Sequence, residues 1–241
     1  MVTGREAWVL DELAYAGREN LDAAHVARYD QKEDAGAAAE LAALCPFGLA
    51  PGATIVDLGA GTGQFALAAA ESAARVVAVD VSPVMLERLR AKVERDEVGN
   101  VECVEAGFLT YEHAGEPPDL VYSRWALHHL PDFWKAIALT RVADMLRPRG
   151  ILRLSDIVYR FDPNDAVAGL ERWMAEPDFS GSIESGWVRA ELEEHVRDEH
   201  STFTWLLEPM ITRAGFVIEH ADYSDDGILA RYTCVKAEAA G

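Results

Sequence analysis

The chain has 241 residues, and its 22 lysines and arginines against 41 aspartates and glutamates give a formal net charge of −19. Half of the residues are apolar, which is typical of a globular protein, and we expect a single domain over 1–241. The acidic charge argues against nucleic acid and against an anionic membrane as partners, and favours a small molecule. The sequence shows neither a signal peptide nor a long apolar stretch, so we expect a cytoplasmic protein.

Strand-like and helix-like segments alternate along the first part of the chain. Residues 1–50 are predicted to form a helical cap, with a helix over 17–44. Strands are then predicted at 55–58, 75–80, 101–104, 120–123 and 151–158, separated by helices at 64–74, 82–96 and about 132–146. Ser82 is the expected N-cap of the second of these helices. This alternation predicts five parallel strands in a core over 51–160.

The pattern changes after residue 160. Residues 161–205 are predicted to form a lid that carries five large rings, and these rings either line a substrate pocket or pack a helix on the sheet. They are Trp173, Phe179, Trp187, Phe203 and Trp205. Residues 206–241 are predicted to form a final helix and a β-hairpin, because strands at 216–223 and 228–236 flank a short polar turn.

A glycine-rich turn follows the first predicted strand, in the run Asp57-Leu58-Gly59-Ala60-Gly61-Thr62-Gly63. Glycines at a strand-to-helix turn allow the backbone to approach a ligand closely. The dinucleotide fingerprint requires a glycine at position 64, where this chain has Gln64, so the spacing argues against NAD. Asp80 ends the second strand, where a carboxylate can accept both hydroxyls of a ribose. Together these features predict a nucleotide-like cofactor.

These residues resemble the class I S-adenosylmethionine-dependent methyltransferases, through Val56–Gly63 and Val77–Ser82. Residues 119–123, the run Ala126-Leu127-His128-His129-Leu130 and residues 146–150 resemble the ubiquinone/menaquinone-type enzymes of that family. The resemblance covers about 50–158. It implies a Rossmann-like, doubly wound α/β sheet of seven strands, mostly parallel with an antiparallel last strand, to which the helical lid is an insertion.

The activity that the resemblance implies is methyl transfer from S-adenosyl-L-methionine to an oxygen, nitrogen or carbon atom of a small molecule. Two alternatives stay open. The first is other chemistry on this cofactor, such as modification of the cofactor itself, which the same fold can host. The second is a non-catalytic sensor that binds S-adenosylmethionine.

Carried onto this sequence, the resemblance implies cofactor-binding residues in the cap, at the glycine turn and after the second, third and fourth strands. They are Tyr29, Asp57, Gly59, Ala60, Gly61, Thr62, Gly63, Gln64, Asp80, Val81, Gly107, Phe108, Ser123 and Arg124. The turn is expected against the methionine moiety, with Asp57 near its amino group and Asp80 on the ribose. Tyr29 either closes over the cofactor or belongs to a packing helix.

Adenine recognition departs from the family pattern. The family places an acidic residue after the third strand to meet the adenine amine, whereas this chain has Ala106-Gly107-Phe108 there. We expect backbone groups of Gly107 and Phe108 to substitute, with the phenyl ring against the base. Glu105 is a less well placed alternative.

Candidate catalytic residues follow the fourth and fifth strands: His128, His129 and Asp156. An imidazole suits a general base, although these histidines could equally hold the loop against the sheet. A buried Asp156 needs a partner, for which Arg153 or Arg124 is the prediction, or else it works as a base. Arg124 either clamps an anionic substrate or forms an ordinary ion pair. The acceptor is therefore expected to be aromatic or acidic.

No metal site is predicted. Cys45, Cys103 and Cys234 are far apart in the sequence, and we expect them to be buried apolar residues. His195 and His200 are five positions apart and so would lie on different faces of a helix. We expect that helix to be charged and mostly solvated.

Overall fold

The computed structural model describes residues 7–17, 20–23, 26, 36–175 and 189–238. Tyr29 of the predicted cofactor site lies outside the described residues, as do the rings of Phe179 and Trp187.

The described residues contain eight strands, close to the predicted positions. They are β1 (Thr54–Leu58), β2 (Arg75–Asp80), β3 (Val101–Glu105), β4 (Leu120–Arg124), β5 (Ile151–Tyr159), β6 (Thr202–Phe203), β7 (Phe216–Tyr223) and β8 (Leu229–Lys236). Their order across the sheet is β3-β2-β1-β4-β5-β8-β7, and the two-residue β6 pairs separately with β5. β1 to β5 are parallel, and β8 runs antiparallel between β5 and β7. The predicted Rossmann-like fold is thus confirmed.

Seven α-helices lie within the described residues. They are α1 (Ala37–Leu44), α2 (Gln64–Ala70), α3 (Pro83–Arg95), α4 (Asp132–Met145), α5 (Ala166–Ala175), α6 (Arg189–Asp198) and α7 (Thr204–Arg213). α3 begins as predicted, since the Ser82 hydroxyl accepts a hydrogen bond from the Met85 N–H and Pro83 occupies the first turn. The helix predicted over 64–74 ends earlier, at Ala70. Among the described ranges, no helix combines the length and the apolarity needed to span a bilayer.

The central strands carry apolar side chains on both faces of the sheet, and helices therefore cover both faces. Val56 and Leu58 of β1 face a cluster with α4 and α7, whereas Ile55 faces a cluster with α1, α2 and α3. The chain reverses its direction of winding between β1 and β4, which are neighbours in the sheet. In open α/β sheets a crevice for ligands forms at this switch point, at the carboxyl ends of the strands.

Of the helix predicted over 17–44, the described residues contain α1 (Ala37–Leu44), whereas 20–22 are not helical and most of 24–35 lies outside the described residues. Gly17 has a φ of 75°, and a 3₁₀-helix at Glu12–Tyr15 precedes it. The N-terminal segment packs by its rings. Trp8 stacks on Trp134 with a centroid distance of 6.2 Å, and Tyr15 lies 5.6 Å from His200.

The two described helices of the lid pack on the sheet through an apolar cluster. Trp173 of α5 is 1% exposed, and it lies with Leu192 of α6 against Ile157 and Tyr159 of β5. Phe203 packs against this cluster, whereas Trp205 is exposed. Core packing therefore accounts for Trp173 and Phe203.

The cysteine prediction holds only in part. Cys234 is buried, Cys103 is half-buried and Cys45 is exposed, so the expectation of burial was wrong for Cys45. The predicted boundaries of the cap, core, lid and C-terminal hairpin within one domain stay a prediction.

Candidate active site

The glycine turn has the left-handed backbone that its sequence predicts. Gly59, Gly61 and Gly63 have φ values of 77°, 54° and 85°. A Cβ on Gly59 would lie 2.3 Å from the Ala126 Cβ, and one on Gly63 would lie 2.1 Å from the Leu89 Cδ1. A Cβ on Gly61 would have only the Met85 Sδ nearby, at 4.0 Å. Gly59 and Gly63 thus permit close packing, whereas Gly61 borders open space.

That open space is a cavity of about 690 Å³ across the carboxyl ends of the parallel strands. It is lined by residues from the N-terminal segment, the glycine turn, and the ends of β2, β3 and β4. They are Glu12, Ala16, Asn20, Gly59, Gly61, Asp80, Val81, Met85, Ala106, Gly107, Phe108, Arg124, Trp125, Ala126, His129 and Leu130. Its mostly apolar lining with a few polar groups is typical of a cofactor site.

A second recess of about 420 Å³ lies beside the glycine turn. Its lining consists of Asp57, Gly59, Ala60, Gly61, Thr62, Gln64, Phe65, Tyr122 and Arg124. Asp57 is 2% exposed, and its Oδ2 has no hydrogen-bond partner among the described residues. Burial and the neighbouring Asp80 raise the pKa of Asp57 to about 8.

Asp80 ends β2 at the wall of the cavity. Its Oδ2 accepts the Gly61 N–H at 2.8 Å, and its Oδ1 accepts the Ser82 N–H at 2.8 Å. Burial nevertheless raises the pKa of this carboxyl above its usual value. The two backbone bonds fix the carboxylate while leaving further lone pairs for a ligand.

Beyond Asp80, the cavity is bounded by residues 106–108 and by Glu12, which the sequence pattern does not indicate as a site residue. Glu12 is 8% exposed, and its Oε2 accepts the Leu109 N–H at 3.1 Å and the Thr110 hydroxyl at 3.2 Å. Burial raises the pKa of this carboxyl to about 7. Glu105, the alternative named above, is exposed. No local signal marks Glu12, because its partners lie 97 and 98 positions away.

At the end of β4, Arg124 and Trp125 line the cavity. Trp125 has a φ of 52°, an uncommon conformation for a large side chain and one that concentrates at functional sites. The Arg124 guanidinium lies over the Trp125 ring, 4.7 Å from its centroid. Ser123 is fully buried, and within the described ranges its Oγ has no partner.

Behind the cavity, His128 and Asp156 form a buried pair. The His128 Nδ1 contacts the Asp156 Oδ1, and the Asp156 Oδ2 accepts the His128 backbone N–H at 3.0 Å. The predicted partners of Asp156 were therefore wrong. Arg153 instead pairs with Glu40 at 2.8 Å and donates to the Thr233 hydroxyl at 2.7 Å, because its side chain leaves the opposite face of β5.

The lid extends this pair. Glu199, which follows α6, lies 3.0 Å from the His128 Nε2 through its Oε2 and also contacts the His195 Nδ1. His195 is 4% exposed, so the expectation of a mostly solvated helix was wrong at this residue. Ligand atoms of His128, His129 and Glu199 lie within 4.8 Å of one another, a spacing compatible with a metal. The 3.0 Å contact is instead the length of a hydrogen-bonded ion pair.

The protonation states follow from this packing. Burial alone would lower the pKa of His128, but the Asp156 and Glu199 carboxylates outweigh it and raise the pKa to about 10. His129 lies beside this cation, and burial together with His128 lowers its pKa to about 3. At neutral pH, His128 is therefore an imidazolium and His129 a neutral imidazole.

Most of the predicted site residues thus meet at the cavity or its side recess. The cavity or the recess includes Asp57, Gly59, Ala60, Gly61, Thr62, Gln64, Asp80, Val81, Gly107, Phe108, Arg124 and His129. Gly63 serves the packing of α2 on Leu89, and Ser123, His128 and Asp156 lie behind the wall.

Comparison with known proteins gives the class of this fold. A methyltransferase domain family matches residues 55–150. An uncharacterized methyltransferase of Anoxybacillus flavithermus is 26% identical over 167 residues, which are 69% of this chain and 71% of the relative. The 27-O-demethylrifamycin SV methyltransferase of Amycolatopsis mediterranei is 31% identical over 136 residues, 55% of this chain and 48% of the relative.

Among solved structures, Haemonchus contortus phosphoethanolamine N-methyltransferase 2, bound to phosphomonomethylethanolamine and S-adenosylhomocysteine, superposes with a TM-score of 0.70. It is 16% identical, and the match covers 95% of this chain and 61% of that one. The fold is that of a Rossmann-like methyltransferase. These matches support the resemblance to the class I S-adenosylmethionine-dependent methyltransferases.

Proposed function

We propose that the chain transfers a methyl group from S-adenosylmethionine to a small-molecule acceptor that binds where β4 ends. The observation that carries this proposal is one continuous cavity across the ends of β1 to β4. From β1 to β3 its wall changes from the glycine turn to the Asp80 carboxylate and then to the apolar Ala106 and Phe108. The relatives named above act on a rifamycin derivative and on a phosphobase, which supports a small acceptor.

The residues present fit the cofactor along the edge of the sheet. The unpartnered Asp57 Oδ2 in the side recess suits a ligand ammonium group, and the Gly61 backbone leaves room for the methionine chain. Asp80 suits the ribose hydroxyls, and Ala106 and Phe108 offer apolar surface to a flat base. The order methionine, ribose, base follows the strand order β1, β2, β3.

The bound cofactor would supply a methyl group on a positively charged sulfur. The acceptor atom would form a bond to the methyl carbon as the carbon–sulfur bond breaks, so that S-adenosylhomocysteine leaves. The protein's task is therefore to align the acceptor and to exclude water. Trp125, Leu130 and Arg124 offer the acceptor an apolar wall and a positive charge. These residues favour an acceptor with an aromatic or acidic group.

We infer that His128 and Asp156 support the site and do not react in it. Both ring nitrogens of His128 face carboxylates, and the imidazolium already carries its proton. His129 lines the cavity as a neutral ring, and its low pKa suits a hydrogen-bond acceptor better than a general base. Its expected role is to orient the acceptor.

The enzymatic test is incubation of the purified protein with deuterated-methyl S-adenosylmethionine and panels of aromatic and carboxylate acceptors. Mass spectrometry should find the label in one acceptor class together with S-adenosylhomocysteine. If no S-adenosylhomocysteine were released with any acceptor, the protein would be a sensor. If a labelled product formed without S-adenosylhomocysteine, the reaction would be modification of the cofactor. Either of these results would contradict the proposal.

Replacing Asp80 with alanine is expected to weaken S-adenosylhomocysteine binding by ~1.5–3 kcal/mol, because hydrogen bonds to a charged acceptor are lost. Isothermal titration calorimetry measures the change. Asp96→Ala is the control, since Asp96 directly follows α3 and pairs with Arg95 at the surface. An unchanged affinity in the Asp80 variant would remove Asp80 from the site.

Cofactor binding is expected to release a proton near pH 7, because Asp57 has a pKa of about 8 in the free protein and a ligand ammonium favours its ionised form. Affinity should therefore rise with pH from about 6 to 8 and level off above 8. Titrations in phosphate and in Tris should give different heats of binding, since protonation of Tris releases more heat than protonation of phosphate does. Asp57→Asn should give a smaller difference between the two heats than the unmodified protein does, and an unchanged difference would refute the assignment.

A further inference from the structure

The carboxyl group of Glu12 borders the cavity beside the turn after β3, whereas Asp57 belongs to β1, on the other side of β2. The 3₁₀-helix that carries it belongs to the N-terminal segment, outside the matched family region at 55–150. This segment is anchored by stacking of Trp8 on Trp134 and by the Ser82 hydroxyl, which donates to the Asn20 carbonyl at 2.6 Å. Glu12 is therefore held in place, although it is distant in sequence from the residues after β3 that it contacts.

The carboxyl group occupies the space that a side chain at residue 107 would fill. A Cβ built on Gly107 would lie 2.3 Å from the Glu12 Oε1, 2.4 Å from its Cδ and 2.5 Å from its Oε2. The φ of Gly107 is not in the left-handed region, so the backbone does not require a glycine here. What requires it is the space taken by Glu12.

Glu12 also caps the turn that follows β3. Its Oε2 accepts the Leu109 N–H and the Thr110 hydroxyl, and the Thr110 hydroxyl accepts the Gly107 N–H at 2.8 Å. An aspartate at 107 would cap the same turn with its own side chain. Glu12 thus does from a distance what a local acidic residue would do.

The position of the Glu12 carboxyl group along the sheet determines which part of a bound cofactor it would contact. The Ala106 N–H donates to the Asp80 carbonyl at 3.1 Å, so residues 106–108 lie one step beyond the carboxylate proposed for the ribose. Ala106, Phe108, Met85 and Leu130 line this part of the cavity with apolar surface. A flat base attached to that ribose would lie there with its edge toward Glu12.

We propose that Glu12, in place of a side chain at residue 107, recognises the exocyclic amine of adenine. The inference rests on the proposed cofactor and deepens it. A carboxylate has about four acceptor positions, so its bonds to Leu109 and Thr110 leave capacity for an N–H donor. A 6-oxo purine would turn a carbonyl oxygen toward the same carboxylate, which is repulsive. Glu12 therefore selects adenine against hypoxanthine.

The test is a transplant of the carboxyl group. Glu12→Ala should weaken S-adenosylhomocysteine binding about 10- to 100-fold, the effect of losing one hydrogen bond to a charged group. The same variant should leave the weaker binding of S-inosylhomocysteine unchanged or improve it. Glu12→Ala combined with Gly107→Asp should restore much of the preference for S-adenosylhomocysteine, because the new side chain enters the vacated space.

Glu12→Gln keeps the packing and replaces the alanine variant in the test if that variant does not fold. Its preference for S-adenosylhomocysteine over S-inosylhomocysteine should be several-fold lower than that of the unmodified protein. Equal weakening of both ligands in Glu12→Ala, or no recovery in the double variant, would overturn the inference. Binding of S-adenosylhomocysteine by the unmodified protein tests the cofactor separately. Its absence would refute the proposed function, and its presence with an unchanged adenine preference in the Glu12 variants would refute only the role of Glu12.

Discussion

Replacing Asp156 with asparagine is expected to lower the free energy of unfolding by about 3–5 kcal/mol, the usual effect of removing one partner of a buried ion pair. Asp156 is 2% exposed and holds both the ring and the backbone N–H of His128. The variant leaves the His128 imidazolium in the interior with Glu199 as its remaining carboxylate contact. Few single changes in this sheet should cost more.

The loss should depend on pH. The raised pKa of His128, about 10 against an ordinary 6.5, gives a stabilisation that is fully present below pH 6.5 and is lost as the pH rises through 10. The lowered pKa of Asp156, to which His128 and Lys135 contribute, gives a stabilisation present above its ordinary value of 3.8 and lost in acid. The gap in stability between the two proteins should therefore be larger at pH 6 than at pH 9.

Urea denaturation at these two pH values measures the gap. Glu171→Gln is the control, because it removes an exposed partner of Arg189 and should leave the urea midpoint unchanged. A stability loss in Asp156→Asn no greater than in this control would show that the buried pair is not formed. A gap that stays equal at both pH values would show that His128 is not charged.

Replacing Gly61 with valine is expected to weaken cofactor binding at least about 100-fold. In the free protein a Cβ at this position meets nothing closer than the Met85 Sδ at 4.0 Å, so the new side chain enters the cavity itself. The positive φ of 54° adds a stability cost of about 1–2 kcal/mol. The variant should fold and should fail to bind S-adenosylhomocysteine.

Gly52→Val separates these two effects. Gly52 has a φ of 81°, and a Cβ there would have no neighbour within 4 Å, but the residue lies at the opposite end of β1 from the cavity. It should lose similar stability and keep full affinity in calorimetric titration. If Gly61→Val bound the ligand as well as Gly52→Val does, the glycine turn would not be the cofactor site.

Local chemistry accounts for what the sequence could predict. The strand ends, the Ser82 cap and the glycine turn depend on neighbours within a few positions, and these features appear where predicted. The partners of buried charges depend on the fold as a whole. Arg153 pairs with Glu40 across 113 positions, a contact that no spacing rule reveals.

Glu12 and Glu199 show the same limit at the site itself. Glu12 lies in a short 3₁₀-helix and Glu199 directly follows α6, and each acquires its role only when its segment docks on the sheet. The departure at Gly107 was visible in the sequence as a missing carboxyl group. Its replacement was not, because the replacement comes from a different part of the chain.

The most direct test of this account is calorimetric titration of the purified protein with S-adenosylhomocysteine and, separately, with NAD. The cavity at the ends of β1, β2 and β3 predicts saturable binding of S-adenosylhomocysteine at one site per chain and no heat with NAD. Binding of NAD, or no binding of S-adenosylhomocysteine by protein that unfolds cooperatively, would contradict it.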